Sequence, residues 1–319
     1  DRDYQIAKAR EDYLLRHEIP FPGLNRPAGR PVKTSPLYGR LTEAGAIHEE
    51  IFGWERPRWY AGKGAPQRDV HAFRRAPWFD RVAEECRTVR EAAGILDLSA
   101  FGKIDVSGPN AETFLDRMVA NRVPRRTGGI VLTHMLNRLG TIEAEMTVAR
   151  MEDDRFYLLF AAFHELRVRD WLVRHRRPGE QVEIANVSED FGCLVLSGPR
   201  ARNILGTITP DLLDNEGFPW LRAREIKAAG ITVRALRLSY VGELGWELHV
   251  PMAGMARVYD ALREAGRPHG LGNFGSYALN AMRLEKGFKG TSELTNEVTL
   301  PEAEVMRFVK LDKGDFVGR

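Results

Sequence analysis

With 319 residues, 43% of them apolar and 29% charged, the chain has the composition of a soluble globular protein with room for two or three compact units. A net charge of +3 is too small to imply a nucleic-acid partner, and there is no run of about 18 apolar residues such as a membrane-spanning helix needs. The two cysteines, Cys86 and Cys193, make neither a disulfide framework nor a metal quartet, and they fit a reducing compartment.

The chain starts with Asp, carries no signal-peptide pattern and stops at Phe316-Val317-Gly318-Arg319, as expected of a fragment of a longer polypeptide. Residues 1–35 open with a polar helical stretch, which Pro20, Pro22, Pro27 and Pro31 then interrupt. A short amphipathic helix is expected around Leu37 to Ile47, followed by an aromatic segment, Phe52 to Tyr60. Residues 61–70 read as a Gly/Pro linker, so a domain boundary is placed there. Val82, Cys86, Val89 and Ala93 form one face of a helix predicted from Trp78 to Ala93.

A strand, Phe101 to Val106, then leads into Ser107-Gly-Pro-Asn-Ala111 and a helix ending near Met118. Ile130 to Leu136 and Ile142 to Ala149 alternate as strands about a turn at Asn137 to Gly140. A second hairpin turns at Glu152 to Asp154 into Phe156 to Phe160, followed by a helix over 163–174 and a strand from Val182 to Val187. The signature then returns: strand Leu194 to Leu196, Ser197-Gly-Pro-Arg-Ala201, and a helix with Ile204 and Leu205. Strand, Ser-Gly-Pro-x-Ala, helix occurs twice, which predicts an internally duplicated α+β unit with mostly antiparallel sheets. The basic clusters at Arg122, Arg125 and Arg126 and at Arg174 to Arg177 read as solvated faces.

Ile231 to Tyr240 alternates into glycines at 242 and 245, and Trp246, Leu248 and Val250 alternate out of them. This predicts a β-hairpin with a loop at 242–245. Tyr240 would then face Glu247 across the strands, about 5 Å apart at Cβ, on a face shared with Leu236 and Leu238. Two readings of Glu247 stand. It lies at a wet sheet edge, or it is buried and needs N–H or O–H donors, as a planar ligand with adjacent ring N–H and amino groups would offer. Helices over 253–265 and 276–286 and a loop over 291–303 complete the chain.

The sequence has no dinucleotide loop, P-loop, His-Glu-x-x-His, Cys-x-x-Cys or Gly-x-Ser-x-Gly. No metal site is expected. Glu143 and Glu145 are two apart on one strand and share a face, with Ala144, Met146 and Val148 opposite. That face is either solvent-facing or supplies a carboxylate to an amine substrate.

Gly242 to Glu247, Phe274 to Gly287, Trp54-Glu-Arg-Pro-Arg-Trp59, and Met135-Leu-Asn137 with Gly140 together resemble the C-terminal half of dimethylglycine and sarcosine dehydrogenases. That half is similar to the aminomethyltransferase, or T-protein, of the glycine cleavage system. The resemblance implies an enzyme in which an N-terminal flavin domain oxidises an N-methyl amine to an iminium. Tetrahydrofolate in this part would then capture the one-carbon unit as 5,10-methylenetetrahydrofolate.

Under that resemblance, residues 1–65 join the flavin half to the folate half and residues 66–319 are the tetrahydrofolate-binding domain, without its C-terminal barrel. FAD would belong to the missing N-terminal domain. The partners would be folate, an N-methyl amine-derived one-carbon donor and the flavin domain of the same polypeptide. The implied location is the bacterial cytoplasm, or the mitochondrial matrix in a eukaryote. Alternatives are a stand-alone folate-dependent aminomethyl or methyl transferase and a non-catalytic folate-fold scaffold.

Carried over by position, Glu247 matches the glutamate that grips the pterin, and Tyr240 the tyrosine beside it. Glu145 falls where the family usually has an aspartate near the reacting nitrogens. Its extra methylene displaces the carboxylate by about 1 Å, enough to matter in catalysis. Leu279 and Leu132 depart from the T-protein pattern toward the dehydrogenase branch. Glu304 stands where the family favours Gly.

Overall fold

A computed structural model describes residues 2–21, 23–62, 69–70 and 72–319. The chain opens with α1 (Arg2–Leu14) and α2 (Tyr38–Glu43). The antiparallel pair β1 (Ala46–Ile51) and β2 (Trp54–Tyr60) follows, then α3 (Phe79–Glu91) and β3 (Ala93–Asp97). The helix expected to reach Ile47 therefore ends early, where Gly45 takes a φ of +91°, and the aromatic segment is a strand. Pro57 fits because a two-stranded ribbon is all edge, and the register slips between Ile47 and His48 beside it. The expected linker falls mostly on residues outside the described set. On its N-terminal side, Leu37 and Leu41 join the core beneath the larger sheet, and Trp59 joins the core around Leu96 and Phe274.

Two units of one plan follow. The first runs β4 (Gly102–Ser107), α4 (Ala111–Met118), β5 (Ile130–Leu136), β6 (Ile142–Glu152), β7 (Arg155–Phe160), α5 (Glu165–His175) and β8 (Glu183–Asn186). The second runs β9 (Phe191–Ser197), α6 (Ala201–Ile208), β10 (Ala223–Ala228), β11 (Ile231–Leu236), β12 (Gly245–Pro251), α7 (Met255–Gly266) and β13 (Leu271–Asn273). The chain ends in α8 (Ser276–Glu285) and a long C-terminal loop segment.

The sheets have strand orders β5-β6-β7-β4-β8 and β10-β11-β12-β9-β3-β13. With β4 set against β9 the orders coincide, except that β3 is inserted between β9 and β13. β8 runs antiparallel to β4, whereas β13 runs parallel to β3, which is antiparallel to β9. The last strand thus keeps its direction in both units, and the duplication extends from the signature to the whole unit.

The repeated glycine has a common reason. Gly108 and Gly198 have φ of +117° and +130°, and an added Cβ would lie 2.5 Å from the carbonyl oxygens of Gln181 and Val89. Only glycine fits either turn.

Alternation decides which side chains each sheet buries. Leu194, Leu196, Trp246, Leu248 and Val250 pack with residues of α6 and α7, while Ile104, Val106, Met146, Val148, Phe156 and Leu158 pack with α4 and α5. The opposite faces meet each other, with Ile130, Ala149, Tyr157 and Leu159 against Ala223 and Leu236. There the Arg234 guanidinium donates to both Asp105 oxygens at 2.8 and 2.9 Å, joining β11 to β4. Among the described residues no helix is long and apolar enough to cross a membrane.

The C-terminal segment packs Leu294, Leu300, Ala303, Val305 and Phe316 over Leu136 and Ile142. Within it Glu304 has a φ of +58°, the left-handed region where glycine is unstrained. A glycine would sit there without that strain. Glu304→Gly is therefore expected to raise stability by up to about 1 kcal/mol, read as a higher Tm. An unchanged or lower Tm would show that the backbone strain there is negligible.

Candidate functional site

The hairpin carrying the sequence-predicted residues is built differently from expectation. β11 ends at Leu236, and Leu236, not Tyr240, is the cross-strand partner of Glu247. The cause is tertiary. The buried Arg237 guanidinium donates to the Phe218 carbonyl and, at 2.7 Å, to Asn215 Oδ1. The Leu238 N–H turns back to the Leu236 carbonyl. The chain therefore leaves β12 early, and Tyr240 rides on a longer connection. Its hydroxyl donates to the Lys289 carbonyl and its ring stacks on Phe288, 6.0 Å between centroids and 22° between planes.

Glu247 faces away from the helical core, on the side of β12 opposite Trp246, Leu248 and Val250. It is 8% exposed, so the wet-edge reading does not hold. One oxygen, Oε2, lies 3.4 Å from Nε2 of His249, and His249 Nδ1 lies 3.1 Å from the Tyr157 hydroxyl on the other sheet. The Cys193 sulfur is 3.9 Å from the same Nε2. Among the described residues Glu247 Oε1 meets no donor. Burial pushes the His249 imidazole below its usual pKa, against the pull of Glu247. Burial and the Glu247 charge push the Cys193 thiol well up.

Close by, the fully buried Lys103 ammonium donates to the carbonyls of Ser99, Phe101 and Ser188 at 2.8, 2.8 and 3.3 Å. Burial lowers its pKa to about 8, opposed by Cys193, Asp97, Glu165 and Glu247. Cys193, Glu247 and His249 bring a thiol, a carboxylate oxygen and an imidazole nitrogen within 4.8 Å, three donors rather than a closed structural quartet. The positive charge of Lys103 beside Cys193 opposes a cation there.

Glu145 and Tyr240 have other neighbours. Across β5 and β6, Glu145 stands opposite His134, with Oε1 3.4 Å from Nε2 of that fully buried ring. Burial raises the Tyr240 phenol to about 12, opposed by Arg283 and reinforced by Glu145 and Glu293, which places these groups in one electrostatic neighbourhood. Arg283 is buried and forks onto Glu293 at 2.8 and 3.2 Å while donating to the Phe288 carbonyl. Burial works against ionisation of Glu293, but hydrogen bonds from Arg283, Ser292 and the Gly290 N–H hold its carboxyl at about 2. This scaffold fixes the 288–290 backbone on which Tyr240 rests.

The two strand carboxylates have different fates. Glu143 is buried and ion-paired with Arg167 of α5, while Glu145 is half-buried opposite His134. The structure thus sets Glu247 in a polar nest with His249, Tyr157, Cys193 and Lys103, Glu145 opposite His134, and Tyr240 against Phe288 and the Lys289 carbonyl.

Sequence patterning did not single out His249, Tyr157, Lys103 or His134. One signal for His249 was available: it is two residues beyond Glu247 on the same strand and shares its face. Tyr157 and Lys103 reach the nest from the other sheet, which local pattern does not reveal.

The family described as the GCVT N-terminal domain matches residues 37–313. The chain is 38% identical over 320 residues to mitochondrial dimethylglycine dehydrogenase of Mus musculus, covering 99% of this chain and 37% of that protein. It is 34% identical over 322 residues to 4-methylaminobutanoate oxidase (formaldehyde-forming) of Paenarthrobacter nicotinovorans, covering 100% of this chain and 39% of that protein. The chain thus spans well under half the length of these curated relatives. The solved glycine cleavage system aminomethyltransferase T from Bartonella henselae superposes with a TM-score of 0.75 at 24% identity, over 90% of this chain and 73% of that one, so the fold is shared. From the duplicated sheets, the matched motifs and this identity over nearly its whole length, the chain belongs to the GCVT N-terminal domain family and is homologous to dimethylglycine and sarcosine dehydrogenases.

Proposed function

We propose that this chain is the tetrahydrofolate-binding, one-carbon-transfer part of an FAD-dependent N-methyl amine dehydrogenase. The observation that carries the reading is the Glu247 carboxylate, nearly buried, with Oε2 beside His249 and Oε1 without a donor among the described residues. The side chain is enclosed while Oε1 stays reachable, so a donor-bearing ligand can pair with that oxygen without disturbing the contact to His249. A pterin ring has adjacent N–H and amino donors suited to a bidentate fit. Tetrahydrofolate, when bound, supplies the nitrogens that take up the one-carbon unit. FAD belongs to the flavin part of the parent polypeptide.

The residues of this chain have separate tasks. Glu247 accepts the ring donors and sets the orientation. Tyr240, fixed by Phe288 and the Lys289 carbonyl, provides a rigid aromatic wall. Glu145, across the ladder from His134, holds or hands on the proton given up as the new carbon–nitrogen bond forms.

Isothermal titration of the chain with tetrahydrofolate tests binding. Formation of 5,10-methylenetetrahydrofolate from formaldehyde tests transfer. Binding with saturable turnover is expected, and Glu145→Gln should lower turnover by roughly 10²-fold while leaving Kd within about threefold. Absence of any binding heat would sink the reading. Binding without turnover would reduce the domain to a scaffold.

A further inference from the structure

His249 is fully buried, lies between Glu247 and the opposite sheet, and has no part in the folate capture just described. A neutral imidazole has one N–H and one lone pair, so its two neighbours decide the tautomer. On one side is the phenol of Tyr157, which burial keeps protonated. Its hydroxyl oxygen lies 3.1 Å from Nδ1, with the two rings edge to face at 90°. On the other side is the Glu247 carboxylate, which is acceptor-only when ionised.

If Nδ1 accepts from Tyr157, Nε2 carries the hydrogen and donates it to Glu247 Oε2. The opposite tautomer would set a lone pair against a carboxylate oxygen at 3.4 Å in a buried site, which is repulsive. The charged groups acting on the ring agree. Burial, Lys103 and Arg234 favour the neutral form, and Glu247 alone opposes it. The Tyr157 ring is itself fixed, because the Arg234 guanidinium lies 4.5 Å over it while forking onto Asp105.

We propose that Tyr157 and His249 form a hydrogen-bonded relay across the two sheets that fixes Oε2 of Glu247 and presents Oε1 to the pterin, making His249 a positioning residue for folate. The proposal rests on the folate reading of Glu247. The relay spans both units of the duplication, so the carboxylate is oriented by how the sheets are docked and not by its own strand alone.

The test has two arms, both on the chain as described. In the first, histidine is labelled with 15N and the His249 resonances are assigned by their loss in His249→Gln. An Nε2–H tautomer is expected, and an Nδ1–H tautomer overturns the relay whether or not folate binds. The second arm measures Kd for tetrahydrofolate together with Tm. His249→Leu, which removes the donor, should weaken binding about tenfold. His249→Gln, which keeps an N–H near the Nε2 position, should stay within about threefold of the parent chain. Tyr157→Phe, which removes the hydrogen that sets the tautomer, should fall between them.

Equal losses in His249→Leu and His249→Gln, or a Leu variant that binds like the parent, would overturn the proposal. Should His249→Leu fail to fold, Tyr157→Phe against His249→Gln decides the same question. A parent chain that binds no tetrahydrofolate, yet shows the Nε2–H tautomer, would defeat the functional reading and leave the relay standing.

Discussion

Replacing Glu247 by Gln is expected to raise the Kd for tetrahydrofolate by roughly 10- to 100-fold, read by isothermal titration. The change is nearly isosteric, so the strand, the apolar face behind it and the contact with His249 should persist. What is lost is charge and one acceptor. An amide offers one oxygen and one NH2 group, and the NH2 group turned toward ring donors makes no hydrogen bond. Hydrogen bonds to a charged group contribute about 1.5–3 kcal/mol each, which converts to the stated range at about 1.4 kcal/mol per tenfold. Gln is the better probe than Ala, because Ala would leave the His249 N–H buried without an acceptor and mix stability with binding. An unchanged Kd in a folded Gln variant would remove Glu247 from the binding site.

Much of the architecture was legible because it depends on local pattern. The Ser-Gly-Pro signature marked both units, and its glycine is forced by the left-handed turn at Gly108 and Gly198. Alternation correctly divided Trp246, Leu248 and Val250 from Glu247. The misses have particular causes. β3 was hidden because its run begins at Ala93, the residue that closes the helical pattern of α3, and because it pairs with strands far along the chain. β2 was hidden by Pro57 and by charges that pair across the ribbon, such as Arg56 with Glu49. Its stability comes from Trp59 in a distant core, not from its own pattern.

At the site, the partition was different. The faces of Glu145 and Glu247 followed from period-two alternation. Their companions did not. The expected loop at 242–245 rested on the shortest hairpin the glycines allow. The actual departure at Leu236 depends on Arg237 being anchored by Asn215 and Phe218. His134 is opposite Glu145 by register, and a bulge between Met135 and Leu136 shifts that register. Bulges and anchors are tertiary facts. Glu304 is the converse case. Its departure from glycine was visible in the sequence, and the structure places it at a positive φ.

The second large effect concerns the contact that docks the two sheets. Asp105→Ala is expected to destabilise the chain by about 3–5 kcal/mol, measured by denaturant unfolding, because it leaves the Arg234 charge buried without its partner. The Arg234 side chain is 8% exposed and that of Asp105 15%. The guanidinium also lies 4.5 and 4.4 Å over the rings of Tyr157 and Phe191, so it has no short path to water. The pair Arg40 and Asp260 makes the control. With side chains 45% and 54% exposed, Asp260→Ala should cost no more than about 1 kcal/mol. Removing both partners with Asp105→Ala and Arg234→Met should recover much of the loss, since an apolar replacement leaves no orphaned charge. The shape of the transition carries information too. If Asp105 and Arg234 couple the units, Asp105→Ala should broaden unfolding or split it into two steps as the sheets lose their common boundary. A loss below about 1 kcal/mol with a single sharp transition would mean that the apolar contacts around Tyr157 and Leu236 dock the sheets without the ion pair.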